Sequence, residues 1–184
     1  MCSAHPVVLQ AALEQAREDG STLLVESTSN QVNQEGGYTG VRPAEFVAFV
    51  SRLAREAGLP GDRVVLGGDH RGPNPWAALG VRLAMTRAAE MVRDYVRAGY
   101  AKVHLDASMR CADDPLGPLA DTVAAARTAD LAVAAEAAAA GRAPDVPEPL
   151  YVIGTEASPR GGQSGGHEGR AVTPVEDAER GLDL

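Results

Sequence analysis

Between Pro43 and Ala57 the apolar residues Phe46, Phe49, Val50, Leu53 and Ala57 recur at intervals that place them on one face of a helix. Proline opens this segment, where a missing N–H costs nothing, and Gly58 closes it. The pattern predicts three further helices: Pro6 to Asp19 ending at Gly20, Ala77 to Ala98 ending at Gly99, and about Leu119 to Ala140 ending at Gly141. The closing glycines are spaced 38 to 42 residues apart. After each comes a short apolar run of strand type: Leu23-Leu24-Val25, Val64-Val65-Leu66, Lys102-Val103-His104-Leu105 and Tyr151-Val152-Ile153. Strands and helices therefore alternate, which predicts an α/β fold with a parallel sheet.

The two ends of these strands differ. Each strand leads into a polar or glycine-rich stretch: ESTSNQVNQEGGYTG from Glu26, GGDHRGPN from Gly67, DASMRCADDP from Asp106, and GTEASPRGGQSGGHEG from Gly154. The connections from helix back to strand are mostly plainer. In a parallel sheet all four polar stretches lie at one edge, which gives them a common site. A period near 40 residues, without a glycine-rich dinucleotide loop, fits a (β/α)8 TIM barrel better than a doubly wound sheet. Eight such units need more than 184 residues. Cys2 to His5 precedes a helix as the other strand-end loops do, but the pattern shows no strand before it. The expectation is a single domain over residues 1–184 that forms the N-terminal part of a barrel. About half the barrel is present, without its first strand and its C-terminal half.

A net charge of −8 and a pI near 5.0 argue against nucleic acid as a partner. An anionic sugar would need local cations, which Arg71, Arg110 and Arg160 supply from the loops in this reading. Two cysteines, Cys2 and Cys111, form neither a disulfide framework nor a zinc knuckle and read as free thiols. The start MCSAHPVVLQ lacks a secretory pattern, and Leu131 to Ala140 is too short for a membrane span and carries Glu136, so a cytoplasmic protein without membrane contact is expected.

The ordered motifs CSAHP, SNQVNQ with GGYTG, LGGDH with GPNPW, HLDASM with CADDP, YVIGTE and a late VEDA resemble the non-catalytic subunit family of class II tagatose-1,6-bisphosphate aldolase, the GatZ/KbaZ family, from Cys2 to about Ala178. The stretch from Ala157 to Val172 departs from that pattern. The resemblance implies a class II aldolase-like barrel in which a divalent metal, best suited by zinc, polarises a ketose carbonyl. On it, Asp69 and Glu156 become the proton-transfer carboxylates, and His70 and Asp106 become metal ligands. Asn30, Gln31, Asn33, Gln34, Asn74 and Ser108 become substrate-binding residues, although side-chain amides equally brace long loops. The implied partners are a catalytic aldolase subunit and a ketose or ketose phosphate, with self-association through unpaired strand edges. Two roles follow: accessory subunit of an aldolase in galactitol and tagatose metabolism, or a metal-dependent ketohexose or ketohexose-phosphate 4-epimerase.

Other residues carry plainer readings. His104 shares a strand face with Asp106 and reads as a packed, hydrogen-bonded interior residue. His5 reads as a helix-start residue, His167 as a solvated one, and Trp76 as a packing anchor. Lys102, the single lysine, begins its strand, so a Schiff base at the polar edge is disfavoured.

Overall fold

Each helix begins and ends for a chemical reason. Helix α1 (Pro6–Asp19) starts with proline after His5, and helix α2 (Pro43–Ala57) starts with proline after Arg42, whose N–H donates to the Glu45 carboxylate at 2.8 Å. Gly58 closes α2 at φ 73°, a conformation that costs glycine nothing, and its N–H and that of Leu59 cap the last carbonyls. Helix α2 buries Phe46, Val50, Leu53, Ala54 and Ala57, while Phe49 stays half-buried under the Arg52 guanidinium. Helix α3 (Val81–Arg97) starts four residues later than its pattern predicts, because turns continue from Asn74–Trp76 to Leu79, whose N–H donates to Trp76 O, and Gly80 then stands at the N-cap. Helix α4 (Asp121–Ala139) completes the set. The computed structural model describes residues 1–143, 146, 148–154 and 175.

Strands β1 (Leu23–Thr28), β2 (Val64–Arg71), β3 (Lys102–Leu105) and β4 (Leu150–Ile153) form one parallel sheet in the order β1-β2-β3-β4. The helices pack on one another in chain order, so they form one layer over one face of the sheet. Val25, Val103 and Leu105 from the strands meet Leu9, Leu13, Phe46, Val50, Met91 and Leu131 from the helices in one buried core. Burying side chains of this size stabilises the fold by about 1.5–3 kcal/mol each. Asp114, before α4, is clamped to Arg127 within it by two bonds of 2.5 and 2.9 Å. Among the described residues, no helix is long and apolar enough to cross a membrane.

Two strands run further than their apolar runs. Glu26–Thr28 and Gly67–Arg71, read from sequence as the start of loops, continue the β1–β2 ladder as far as Thr28 opposite Asp69. Polar and glycine residues belong to the strands here because backbone pairing, not side-chain hydrophobicity, carries the ladder. The pattern also shows no strand before Cys2, yet Met1–Ser3 lies parallel to β1: the Glu26 N–H donates to Met1 O at 2.8 Å, and the Ser3 N–H donates to Glu26 O at 3.0 Å.

Candidate functional site

The sheet is irregular at one place. Gly68 pairs with Val103 and Arg71 with Leu105, so Asp69 and His70 together oppose the single residue His104. This is a bulge, and His70 takes φ 50° within it, the one positive φ outside glycine among the described residues. Adjacent residues in a regular strand point to opposite faces. The bulge instead turns Asp69 and His70 toward the same neighbour, His104.

The resulting cluster is tight. His70 Nδ1 lies 2.7 Å and His104 Nδ1 3.3 Å from the same oxygen, Asp69 Oδ1. The two imidazole rings tilt at 58° with centroids 4.2 Å apart. Burial, followed by the neighbouring His70, holds the His104 imidazole below its ordinary pKa. Asp69, His70 and His104 offer ligand atoms within 4.8 Å of one another. On the far side of His70, Nε2 stands 3.9 Å from Asp106 Oδ2. Two ligands of one zinc ion, each bonded at about 2.1 Å, stand about 3–4 Å apart. His70 Nε2 and Asp106 Oδ2 therefore fit a divalent ion, with Asp69 bonded to the other nitrogen of His70, as a carboxylate commonly supports a metal-bound histidine. Asp106 is itself held, since its Oδ1 accepts the N–H of Ser108 at 2.9 Å and its hydroxyl at 2.5 Å.

One layer below, Lys102 Nζ meets Glu26 Oε1 at 2.5 Å, above Gly67. As the sequence pattern expects, this lysine begins its strand, at the end away from the polar edge. It also shares the face of His104, because residues two apart on a strand point the same way. A Cβ on Gly67 would meet Glu26 Cγ at 2.8 Å, so that glycine makes room for the ion pair. Cys2 is exposed and Cys111 buried, both free thiols. Partial desolvation of its sulfur first, and then Asp69, push the Cys2 thiol up, which makes it a poor nucleophile.

Arg71, expected as a loop cation for an anionic ligand, is corrected by the structure. It ends β2 fully buried on the helix side, stacked 3.5 Å over the Tyr95 ring. It donates to the carbonyl and hydroxyl of Ser27 and to the Val32 carbonyl. Desolvation lowers its pKa. Gly68 allows this, because a Cβ there would meet Arg71 Nε at 2.6 Å. Arg110 donates to the Asp114 carbonyl, which keeps it on its own loop. Glu156, Arg160 and His167 lie outside the described residues.

The loop amides after β1 are largely engaged. Asn33 Oδ1 accepts the N–H groups of Glu35 and Gly37, and its amide donates to Ser29 O. Gln31 Oε1 accepts the Thr28 N–H, and Gln34 donates to Arg87 O. Asn30 is exposed, and half-buried Asn74 opens the turn after β2. Trp76 is buried as expected, its Nε1 donating to Glu35 at 3.2 Å. His104 is the residue whose place the pattern understates: its position two before Asp106 on one face was the available signal, but the bulge that turns Asp69 toward it leaves no mark in hydropathy.

The family model for D-tagatose-1,6-bisphosphate aldolase subunit GatZ/KbaZ-like proteins matches residues 1–184. The D-tagatose 6-phosphate 4-epimerase of Agrobacterium fabrum is 48% identical over 184 residues, 100% of this chain and 43% of that protein. The D-tagatose-1,6-bisphosphate aldolase subunit GatZ of Escherichia coli K12 is 47% identical over 182 residues, 99% of this chain and 43% of that protein. Among solved structures, a probable tagatose 6 phosphate kinase from Sinorhizobium meliloti 1021 superposes with a TM-score of 0.83 at 42% identity, over 99% of this chain and 41% of its own. The chain thus spans less than half the length of these relatives.

Proposed function

Since the chain belongs to the GatZ/KbaZ-like family of D-tagatose-1,6-bisphosphate aldolase subunits, we propose that its four βα units form part of a (β/α)8 barrel whose polar edge is a metal-dependent site for a ketose phosphate, working as a 4-epimerase. The observation that carries this reading is the cluster at the β2 bulge, where His70 Nε2 and Asp106 Oδ2 stand 3.9 Å apart with Asp69 on the other nitrogen of His70.

His70 and Asp106 would hold the ion, and Glu156, which lies outside the described residues, would be the second proton-transfer carboxylate beside Asp69. A bound divalent ion, zinc by the nitrogen and oxygen donor set, supplies Lewis-acid polarisation of the ketose carbonyl. Asp69 would take the proton of the C4 hydroxyl as the C3–C4 bond breaks to leave an aldehyde and an enediolate, and would return it when that bond re-forms on the other face of the aldehyde, which inverts C4. Ser108 orients Asp106, and Asn30 and Asn74 reach sugar hydroxyls from the loops after β1 and β2. Gln31, Asn33 and Gln34 shape the first of those loops around the substrate. The similarity to the Agrobacterium epimerase over the whole chain supports this choice.

A second reading is favoured by the relatives named GatZ: the chain supports a separate catalytic aldolase subunit in carbohydrate metabolism. The two separate in one experiment. The purified protein is stripped with EDTA, reloaded with zinc, and assayed on D-tagatose 6-phosphate alone and together with a class II aldolase. Zinc-dependent appearance of the C4 epimer, lost in Asp69→Asn and His70→Ala, is expected. Stimulation of the aldolase by wild type and both variants alike, without epimer, would establish the accessory role instead.

A further inference from the structure

The cluster contains one more side chain than the reaction above uses, and we propose that His104 is a positioning residue that holds the Asp69 carboxylate in its working orientation, not a ligand of the metal. Three observations converge on it. The bulge sets one residue of β3, His104, against two of β2, Asp69 and His70. His104 Nδ1 and His70 Nδ1 then reach one and the same oxygen, Asp69 Oδ1, at 3.3 and 2.7 Å. Finally, the other nitrogen of His104 looks toward Gly154 at the end of β4, where a Cβ would stand 3.7 Å from Nε2.

The chemistry follows from donor counting. An ionised carboxylate only accepts hydrogen bonds, so each imidazole bonded to Asp69 carries its hydrogen on Nδ1. That leaves Nε2 of both rings as the basic nitrogen. For His70 this nitrogen faces Asp106, the other proposed ligand. For His104 it stands beside Gly154, just past the end of β4, where a Cβ would be 3.7 Å away. The terminal torsion of an aspartate is broad and weakly restrained on its own. Two donors arriving at one oxygen from two strands fix it, and a proton-transfer group must be fixed because small misplacements of reacting groups cost rate steeply. His104 thus acts on the reaction through Asp69. The substrate identity rests on the proposed 4-epimerase, but the hydrogen-bond assignment does not.

Two measurements on the purified protein test this. In 15N NMR of the imidazoles, His104 is expected as the Nδ1–H tautomer, and Asp69→Asn, which introduces an amide that can turn its N–H₂ toward the ring, is expected to shift the His104 resonances. Found instead as the Nε2–H tautomer and insensitive to Asp69→Asn, His104 would be a packed interior residue and the proposal would fail. This arm is decided even if the protein turns over no sugar, which would count against the 4-epimerase alone. In the second, zinc affinity by calorimetry and turnover of D-tagatose 6-phosphate are compared across variants. His104→Ala should keep zinc affinity within about threefold of wild type and lower kcat about 100-fold with KM nearly unchanged. His104→Asn, whose side-chain N–H₂ stands where Nδ1–H was, should restore most of kcat, while His104→Gln should not. Loss of zinc binding in His104→Ala on the scale of His70→Ala would make His104 a ligand and overturn the proposal.

Discussion

Two polar clusters lie back to back across the end of β2, and they use the same kinds of groups for opposite ends. On the open face, Asp69, His70 and His104 are half-buried and joined at the Asp69 carboxylate, with buried Asp106 held by Ser108 beside them. On the helix face, Arg71 lies fully buried with Ser27, Tyr95 and Tyr100, and its bonds go to backbone carbonyls and a hydroxyl. The open cluster is the one we propose to hold the ion and move the proton. The closed cluster turns the two terminal nitrogens of Arg71 to the chain and serves packing, pinning the end of β1 and the Val32 carbonyl behind the site. A charged residue beside a strand-end motif is therefore no guide to ligand binding until its sheet face is known, and the bulge is what assigns Arg71 to the wrong face for an anion.

This contrast can be broken by variants. The largest effect is expected at Gly72, where a Cβ would overlap the Asp106 carbonyl. Gly72→Ala should cost more than about 4 kcal/mol in chemical denaturation, because backbone rather than a flexible side chain must move. Next, Arg71→Ala should cost about 3 kcal/mol by leaving a cavity. Arg71→Met, which refills the volume but leaves the Ser27 carbonyl without its guanidinium donor, should cost less, about 1 kcal/mol. Both should bind zinc as wild type does. If Arg71→Met abolished zinc binding, the closed cluster would be part of the site and the contrast would fall.

Gly68→Ala sharpens it further. A methyl group there presses on Arg71 Nε and Cγ, so a loss of about 2 kcal/mol is expected. That loss should disappear in an Arg71→Ala background, which a double-mutant cycle reads directly.

The smallest effect lies away from both clusters, at the Asp114–Arg127 clamp. The Arg127 hydrogen bonds hold the Asp114 carboxyl below its ordinary pKa. A depressed folded-state pKa contributes stability that is full above the ordinary aspartate value of about 3.9 and is lost as pH falls through the folded value. Asp114→Asn should therefore lower Tm by about 3 °C at pH 7. The difference from wild type should shrink below pH 4 in melts run across pH. A difference that persists undiminished in acid would show that the clamp works by packing alone.

How much of this was legible in sequence depends on what carries the information. Helix α2 was legible to the residue, since proline, periodic apolar side chains and Gly58 each act locally. The parallel order of the strands was legible from their alternation with helices. The true lengths of β1 and β2 were not, because Glu26–Thr28 and Gly67–Arg71 join the ladder through their backbones, which hydropathy does not register. The two glycines of LGGDH stood out, but their reason is three-dimensional: Gly67 clears one face for the Glu26–Lys102 pair, and Gly68 clears the other for Arg71. Asp69, His70 and Asp106 were visible as strand-end residues. Their partnership with His104 was not, because it depends on one extra residue in β2, which sequence spacing alone does not reveal.

The central claim is that the open face of the β2 bulge holds a divalent metal between His70 and Asp106. Crystals soaked in zinc and measured at the zinc absorption edge test it most directly. The account predicts an anomalous peak about 2.1 Å from both His70 Nε2 and Asp106 Oδ2, with His104 outside bonding distance. Zinc found elsewhere on the protein, with none between these two side chains, would contradict it.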